Sequence, residues 1–124
     1  MSARQKVLIV DPSAIFRRAL KDVIQISKKG VDILEAPNAS RALSVAEESR
    51  PHVAFVEIAL PVGNGFDLIE LMRSVTPATR IVVLTSDDSN EYREVSIRKG
   101  AAYFLSKERS GGLRLLEVID EVLR

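Results

Sequence analysis

Five short, mostly apolar runs recur along this chain, alternating with longer segments of helical period, and that alternation restricts the fold more than any other feature. The runs are KVLIV (6–10), DILEA (32–36), VAFVE (53–57), RIVVL (80–84) and AYFL (102–105). Helix-period segments fall at about 13–28, 38–49, 65–75, 88–99 and 111–123. In the first of these, Phe16, Leu20, Val23 and Ile24 return at steps of three and four, the spacing of one buried helix face. Gly30 closes that helix, Asn38 or Ser40 caps the second, and Pro77 and Gly100 end the third and fourth. Strands that alternate with helices form a parallel sheet covered on both faces, and runs as apolar as VLIV and IVVL require burial on both sides. Right-handed crossovers then leave chiefly the α/β doubly wound sheets.

With 124 residues the chain is read as one domain, 1–124, large enough to bury an ordinary core. It has no cysteine, which excludes disulfides, thiolate metal sites and a cysteine nucleophile, and suits a reducing cytoplasm. Eighteen basic residues nearly balance seventeen acidic ones, which argues against direct nucleic-acid binding. The N-terminal MSARQKVLIVD has an apolar run of only four residues, too short for a signal peptide or a membrane span. A cytoplasmic location is expected.

Open doubly wound sheets bind ligands outside the carboxyl ends of their strands. The polar residues there are Asp11 after the first strand, Glu57 ending the third, Thr85 and Ser86 after the fourth, and Lys107 after the fifth. Two carboxylates, hydroxyls and an ammonium would share one crevice, although caps and loop acids are ordinary at such positions. Thr85 can equally cap the fourth helix, which Asp87 and Asp88 would begin near its positive end. The sole histidine, His52, precedes the third strand at the opposite end of the sheet and reads as a surface residue. GNG (63–65) is explained by a turn.

VLIVDPSAIFRRAL, VAFVEIALPVGNGFDLIELMR, IVVLTS and KGAAYFLSK resemble the successive motifs of a bacterial response-regulator receiver domain, from about Lys6 to Leu123. The resemblance implies a flavodoxin-like sheet of order 2-1-3-4-5 with five helices, and a role in two-component phosphorelay signalling. In such domains a histidine kinase donates a phosphoryl group to an aspartate ending the third strand. Paired acids after the first strand help to hold Mg²⁺, and a hydroxyl residue and a lysine contact the phosphoryl group. An aromatic in the fifth strand repacks on activation. The matching positions here are Asp11, Thr85, Lys107 and Tyr103.

Two positions depart from that pattern. Glu57 stands in place of the acceptor aspartate, and Pro12 in place of the second metal-binding acid. Proline offers no side-chain oxygen, so Asp11, the Ala59 carbonyl and Glu57 are left for Mg²⁺, and binding should be weak. The extra methylene of Glu57 carries its oxygens about 1.5 Å further, in a reaction where a misplacement of ~1 Å can cost ~10²-fold. The expectation is an atypical receiver without enzymatic activity that acts through protein contacts, with Glu57 either a structural acid paired with Lys107 or a partial mimic of the phosphorylated state. The alternatives are a working Mg²⁺-dependent phosphoacceptor on Glu57 and a small-ligand module using the acidic crevice.

The last helix, GLRLLEVIDEVLR, carries an apolar arc of about 160°, wider than a core-facing stripe needs. Leu116, Ile119 and Leu123 form one stripe and Leu115, Val118 and Val122 its neighbour. Either the whole arc is buried, or the second stripe serves a kinase, an output domain, another receiver or a second copy. The resemblance favours the face of helix 4, strand 5 and helix 5, with Arg93, Arg98 and Arg114 as a charged rim.

Overall fold

The structure, a computed structural model, describes residues 4–109 and 111–124. Its elements alternate throughout: β1 (Lys6–Val10), α1 (Ala14–Ser27), β2 (Asp32–Ala36), α2 (Ala39–Ser49), β3 (Val53–Val56), α3 (Gly65–Val75), β4 (Arg80–Thr85), α4 (Asn90–Lys99), β5 (Tyr103–Ser106) and α5 (Gly111–Val122). The five strands pair in parallel in the order β2-β1-β3-β4-β5.

Side chains of a strand alternate between the two faces of its sheet, and here the alternation builds two cores. Leu8, Val10, Ala54, Val56, Ile81 and Val83 meet the buried residues of α2 and α3. Val7, Ile9, Val53, Phe55, Val82 and Leu84 meet Leu20 and Ile24 of α1 and the buried positions of α5. Both sides of β1, β3 and β4 are thus dry, as their unbroken apolar runs require.

Caps set where the helices begin. The side chains of Ser13, Asn38, Asn64 and Ser89 accept the amides of Phe16, Arg41, Asp67 and Tyr92 respectively. Of the two caps offered for α2, Asn38 is the one used, and two expectations for α4 are corrected. Ser89 caps α4, so Thr85 does not, and Asp87 and Asp88 precede that helix, leaving Glu91 as the acid of its first turn. Gly30 follows the end of α1 in a left-handed turn (φ 83°), whereas Gly100 caps α4 directly (φ 124°).

Gly65 opens α3 where no side chain fits. A Cβ there would lie 2.7 Å from Ile58 Cα and 2.8 Å from the Glu57 carbonyl oxygen, backbone atoms that cannot swing aside. Gly65→Ala should destabilise the domain by about 1–3 kcal/mol, read as a lower urea midpoint, with amide shifts concentrated at 57–59.

Candidate functional site

Four strand ends define one crevice, and one further ladder hydrogen bond holds each key backbone in place. The Asp11 amide donates to the Ala36 carbonyl (3.1 Å), the Glu57 amide to Val10 (2.9 Å) and the Lys107 amide to Thr85 (2.8 Å). Glu57 is therefore the first residue beyond β3 rather than its last, still gripped by β1. The sheet, and not the loops, fixes where these side chains start.

Lys107 stands at the centre. Its Nζ donates to Asp11 Oδ2 at 2.6 Å, lies 3.0 Å from Glu57 Oε1, and sits 4.0 Å from the centroid of the Phe16 ring. The second oxygen of each acid is also taken: Asp11 Oδ1 accepts the Ser13 amide (2.8 Å), and Glu57 Oε2 accepts the Ala59 amide (3.1 Å). The Thr85 hydroxyl, fully buried, accepts the Asp87 amide at 3.2 Å and helps to lower the Glu57 carboxyl. Asp11 and Glu57 are only 3% and 6% exposed, so their charges depend on these partners.

Burial alone would raise the Glu57 carboxyl, but the Thr85 hydroxyl, the Ala59 amide and Lys107 together hold it below the ordinary value. Burial likewise disfavours the Lys107 ammonium, yet hydrogen bonds and charge from Asp11 and Glu57 raise it above the ordinary lysine value. Each shift favours the charged form of a mutually compensating cluster.

All four carboxylate oxygens are engaged, and the exposed Pro12 presents no side-chain oxygen. Among the described residues no group of three or more His, Cys, Asp or Glu side chains is placed to hold a metal. A cation entering here would compete with Lys107 for both acids.

Of the sequence candidates, Asp11, Glu57, Thr85 and Lys107 converge. Tyr103 does not join them: it is half-buried on β5, Glu121 of α5 together with burial raises its phenol, and the Arg114 guanidinium lies 5.9 Å from its ring. His52 lies exposed at the opposite end of the sheet, its Nδ1 accepting the Lys6 amide at 3.0 Å. Phe16 and Arg17 carry more of the site than their sequence suggests. Phe16 roofs Lys107, and Arg17 donates to the Asp11 carbonyl (2.6 Å) while pairing with Glu35 (2.9 Å). Only their place on the first turns of α1, directly after Asp11, could have signalled this.

The partner face read on α5 needs correction. Val118 and Val122 are 0% and 6% exposed, inside the core with Ile119 and Leu123, and Leu115 packs against that core. Arg114 lies on the Tyr103 side of the helix, Val118, Ile119, Val122 and Leu123 face the core, and Leu116 comes outward.

A doubly wound 2-1-3-4-5 sheet with acids after β1 and β3, a hydroxyl ending β4 and a lysine after β5 defines a phosphorelay receiver architecture. Residues 7–119 match the response regulator receiver domain family, and the chain belongs to it. It is 30% identical over 119 residues to the chemotaxis protein CheY of Thermotoga maritima, covering 95% of this chain and 97% of that one. It is 31% identical over 117 residues to the DNA-binding transcriptional activator DevR/DosR of Mycobacterium tuberculosis, spanning 94% of this chain but 54% of that protein. Among solved structures, the Vibrio cholerae chemotaxis protein CheY4 superposes with a TM-score of 0.84 at 29% identity, over 97% of this chain and 99% of that one. Among the described residues no helix is long and apolar enough to cross a membrane.

Proposed function

We propose that this receiver domain signals through protein–protein contacts around a site already closed by Glu57 and Lys107, without a conventional phosphorylation cycle. The observation that carries this reading is the engagement of every carboxylate oxygen, with Glu57 Oε1 3.0 Å and Asp11 Oδ2 2.6 Å from the same ammonium. In phosphoryl transfer the protein contributes positioning and charge neutralisation. Here the lysine that would meet the phosphoryl oxygens neutralises resident acids, and the position of the second metal-binding acid is Pro12. Mg²⁺ binding is weak, in the millimolar range, and the domain itself catalyses no reaction. Glu57 serves as a structural acid that holds Lys107 and Thr85 in one arrangement. The surface so fixed is read by a histidine kinase, an output domain or another receiver.

An amide NMR titration with Mg²⁺, then Mg²⁺ plus beryllofluoride, tests this against a Glu57→Asp, Pro12→Asp double variant. The variant should respond at residues 11, 57, 85 and 107 while the natural domain stays unchanged by beryllofluoride. Saturable shifts in the natural domain that reach Tyr103 and α4 would show Glu57 acting as a switchable acceptor and overturn the proposal.

A further inference from the structure

Folding spreads the nearly balanced charge of this chain unevenly. In a parallel sheet with helical crossovers every helix ends, and every strand begins, at the same end of the molecule. That end comprises the last turn of each helix through the first residue of the next strand, counted from Arg4 and closing at Arg124. It carries ten of the 18 basic residues but five of the 17 acids. The remaining stretches hold eight basic and twelve acidic residues. The end of the sheet opposite the crevice is therefore a basic pole, on a chain whose formal charge is only +1.

Helix dipoles explain part of this. Five helix C-termini lie at the pole, each equivalent to about half a negative charge, and together they draw about two or three cations. The excess is five, and most of it is unpaired. Arg4, Lys99 and Arg124 are tied to Asp32, Glu70 and Asp120. Lys6, Arg50 and Arg73 reach only the carbonyls of Ser49, Val75 and Pro77. Among the described residues, Lys28, Lys29, Arg80 and Arg98 pair with no carboxylate. The acids left at this end are Glu47 and Glu48 of α2 and Glu121, which lies against Tyr103.

The pole is also level. Lys6 is in register with Asp32, Val7 with Val53, Val53 with Arg80 and Val82 with Tyr103, so the five strands begin within three residues of one height. At ~4.8 Å per strand the row is about 19 Å long. On each face of the sheet an exposed isoleucine accompanies two cations. Ile26 (81% exposed) precedes Lys28 and Lys29 at the end of α1, and Ile97 (47%) precedes Arg98 and Lys99 at the end of α4. A level cationic surface edged with apolar side chains matches an anionic bilayer, with cations among the phosphates and isoleucines at the acyl boundary. A DNA duplex offers the phosphates but no apolar layer for the isoleucines. We propose that the basic pole docks this domain on an anionic lipid surface. The crevice, at the far end of the strands, then faces away from the lipid and stays open to protein partners.

Co-sedimentation with large vesicles tests the proposal, at about 0.1 M salt, where exposed charges act over about 10 Å. The chain should pellet with vesicles of phosphatidylglycerol and phosphatidylcholine in equal parts, stay free with phosphatidylcholine alone, and be released as salt rises. Each cation at an anionic membrane surface contributes about fivefold to partition, so Lys29→Glu with Arg98→Glu should weaken binding at least tenfold. Arg18→Glu with Arg41→Glu makes the same charge change in the first half of α1 and the first turn of α2, and should leave binding within about twofold. All four residues are exposed, and circular dichroism checks that each variant folds. Ile26→Ser with Ile97→Ser should also weaken binding, by removing apolar contact with the acyl boundary. Four results would overturn the proposal: no partition into the anionic vesicles, an equal loss in the Arg18 and Arg41 variant, indifference to the two serines, or tighter binding to duplex DNA than to vesicles at equal phosphate.

Discussion

Lys107→Met is expected to destabilise the domain by about 3–5 kcal/mol at neutral pH, the usual penalty for stranding a buried charge. The substitution keeps most of the side-chain volume under the Phe16 ring but removes the cation that bridges Asp11 and Glu57, whose side chains are 4% and 7% exposed. Two carboxylates would then repel each other with no ammonium between them.

The pH dependence follows with a definite sign. In the natural domain Glu57 is held below its ordinary value of 4.5, so its contribution is complete above that pH and is lost as pH falls through the lowered value. Lys107 is raised above its ordinary value of 10.5, so its contribution is complete below that pH and is lost as pH rises through the raised value. In the variant, protonation of the stranded Glu57 relieves the penalty. Urea denaturation should therefore show the gap between natural and variant chains greatest near neutrality and narrowing as pH drops below about 5. A gap that stays constant through the acid range would mean that Lys107 contributes packing and not charge.

Phe55→Ala should cost a similar amount, about 3–5 kcal/mol, by an unrelated route. Phe55 is among the largest fully buried side chains, 1% exposed at the middle of β3, and it packs between α1 and the sheet with Leu20, Val53 and Leu84. It also lines the small interstice beneath Asp11, Phe16 and Glu57, which has no room for water. Truncation would leave a void that packed strands on either side cannot close, because their register is set by ladders to β1 and β4. The urea midpoint should fall with little change in slope. Amide shifts should reach Asp11 and Lys107, since the floor of the crevice loses its support. A shift of the midpoint within about 0.5 kcal/mol, the range of a surface change, would contradict the packing described.

The doubly wound class, the placement of the helices and the convergence of Asp11, Glu57, Thr85 and Lys107 were legible in the residues, while the strand order came only from the resemblance to receiver domains. Unbroken apolar runs alternating with helical periods admit few folds, and strand ends in such folds point their next residues into one crevice. Element ends were less so: β3 stops at Val56, one residue short of the 53–57 run, because its pairing to β1 and β4 ends there, and α4 starts after Ser89 because that hydroxyl takes the Tyr92 amide. The rotation of α5 was not legible at all. Six apolar residues spread over its surface satisfy more than one orientation, and periodicity carries no information on which arc meets the sheet. That choice rests on distant partners. Tyr103, Arg114 and Glu121 gather on the β5 side, Val118 and Val122 turn inward, and Leu116 is left beside α1. The same reason hid the roles of Phe16 and Arg17, which act on Lys107 and Asp11 only once α1 is laid against the strand ends. Local period and composition decided what each segment is, while the contacts between segments remote in the chain decided which face it shows.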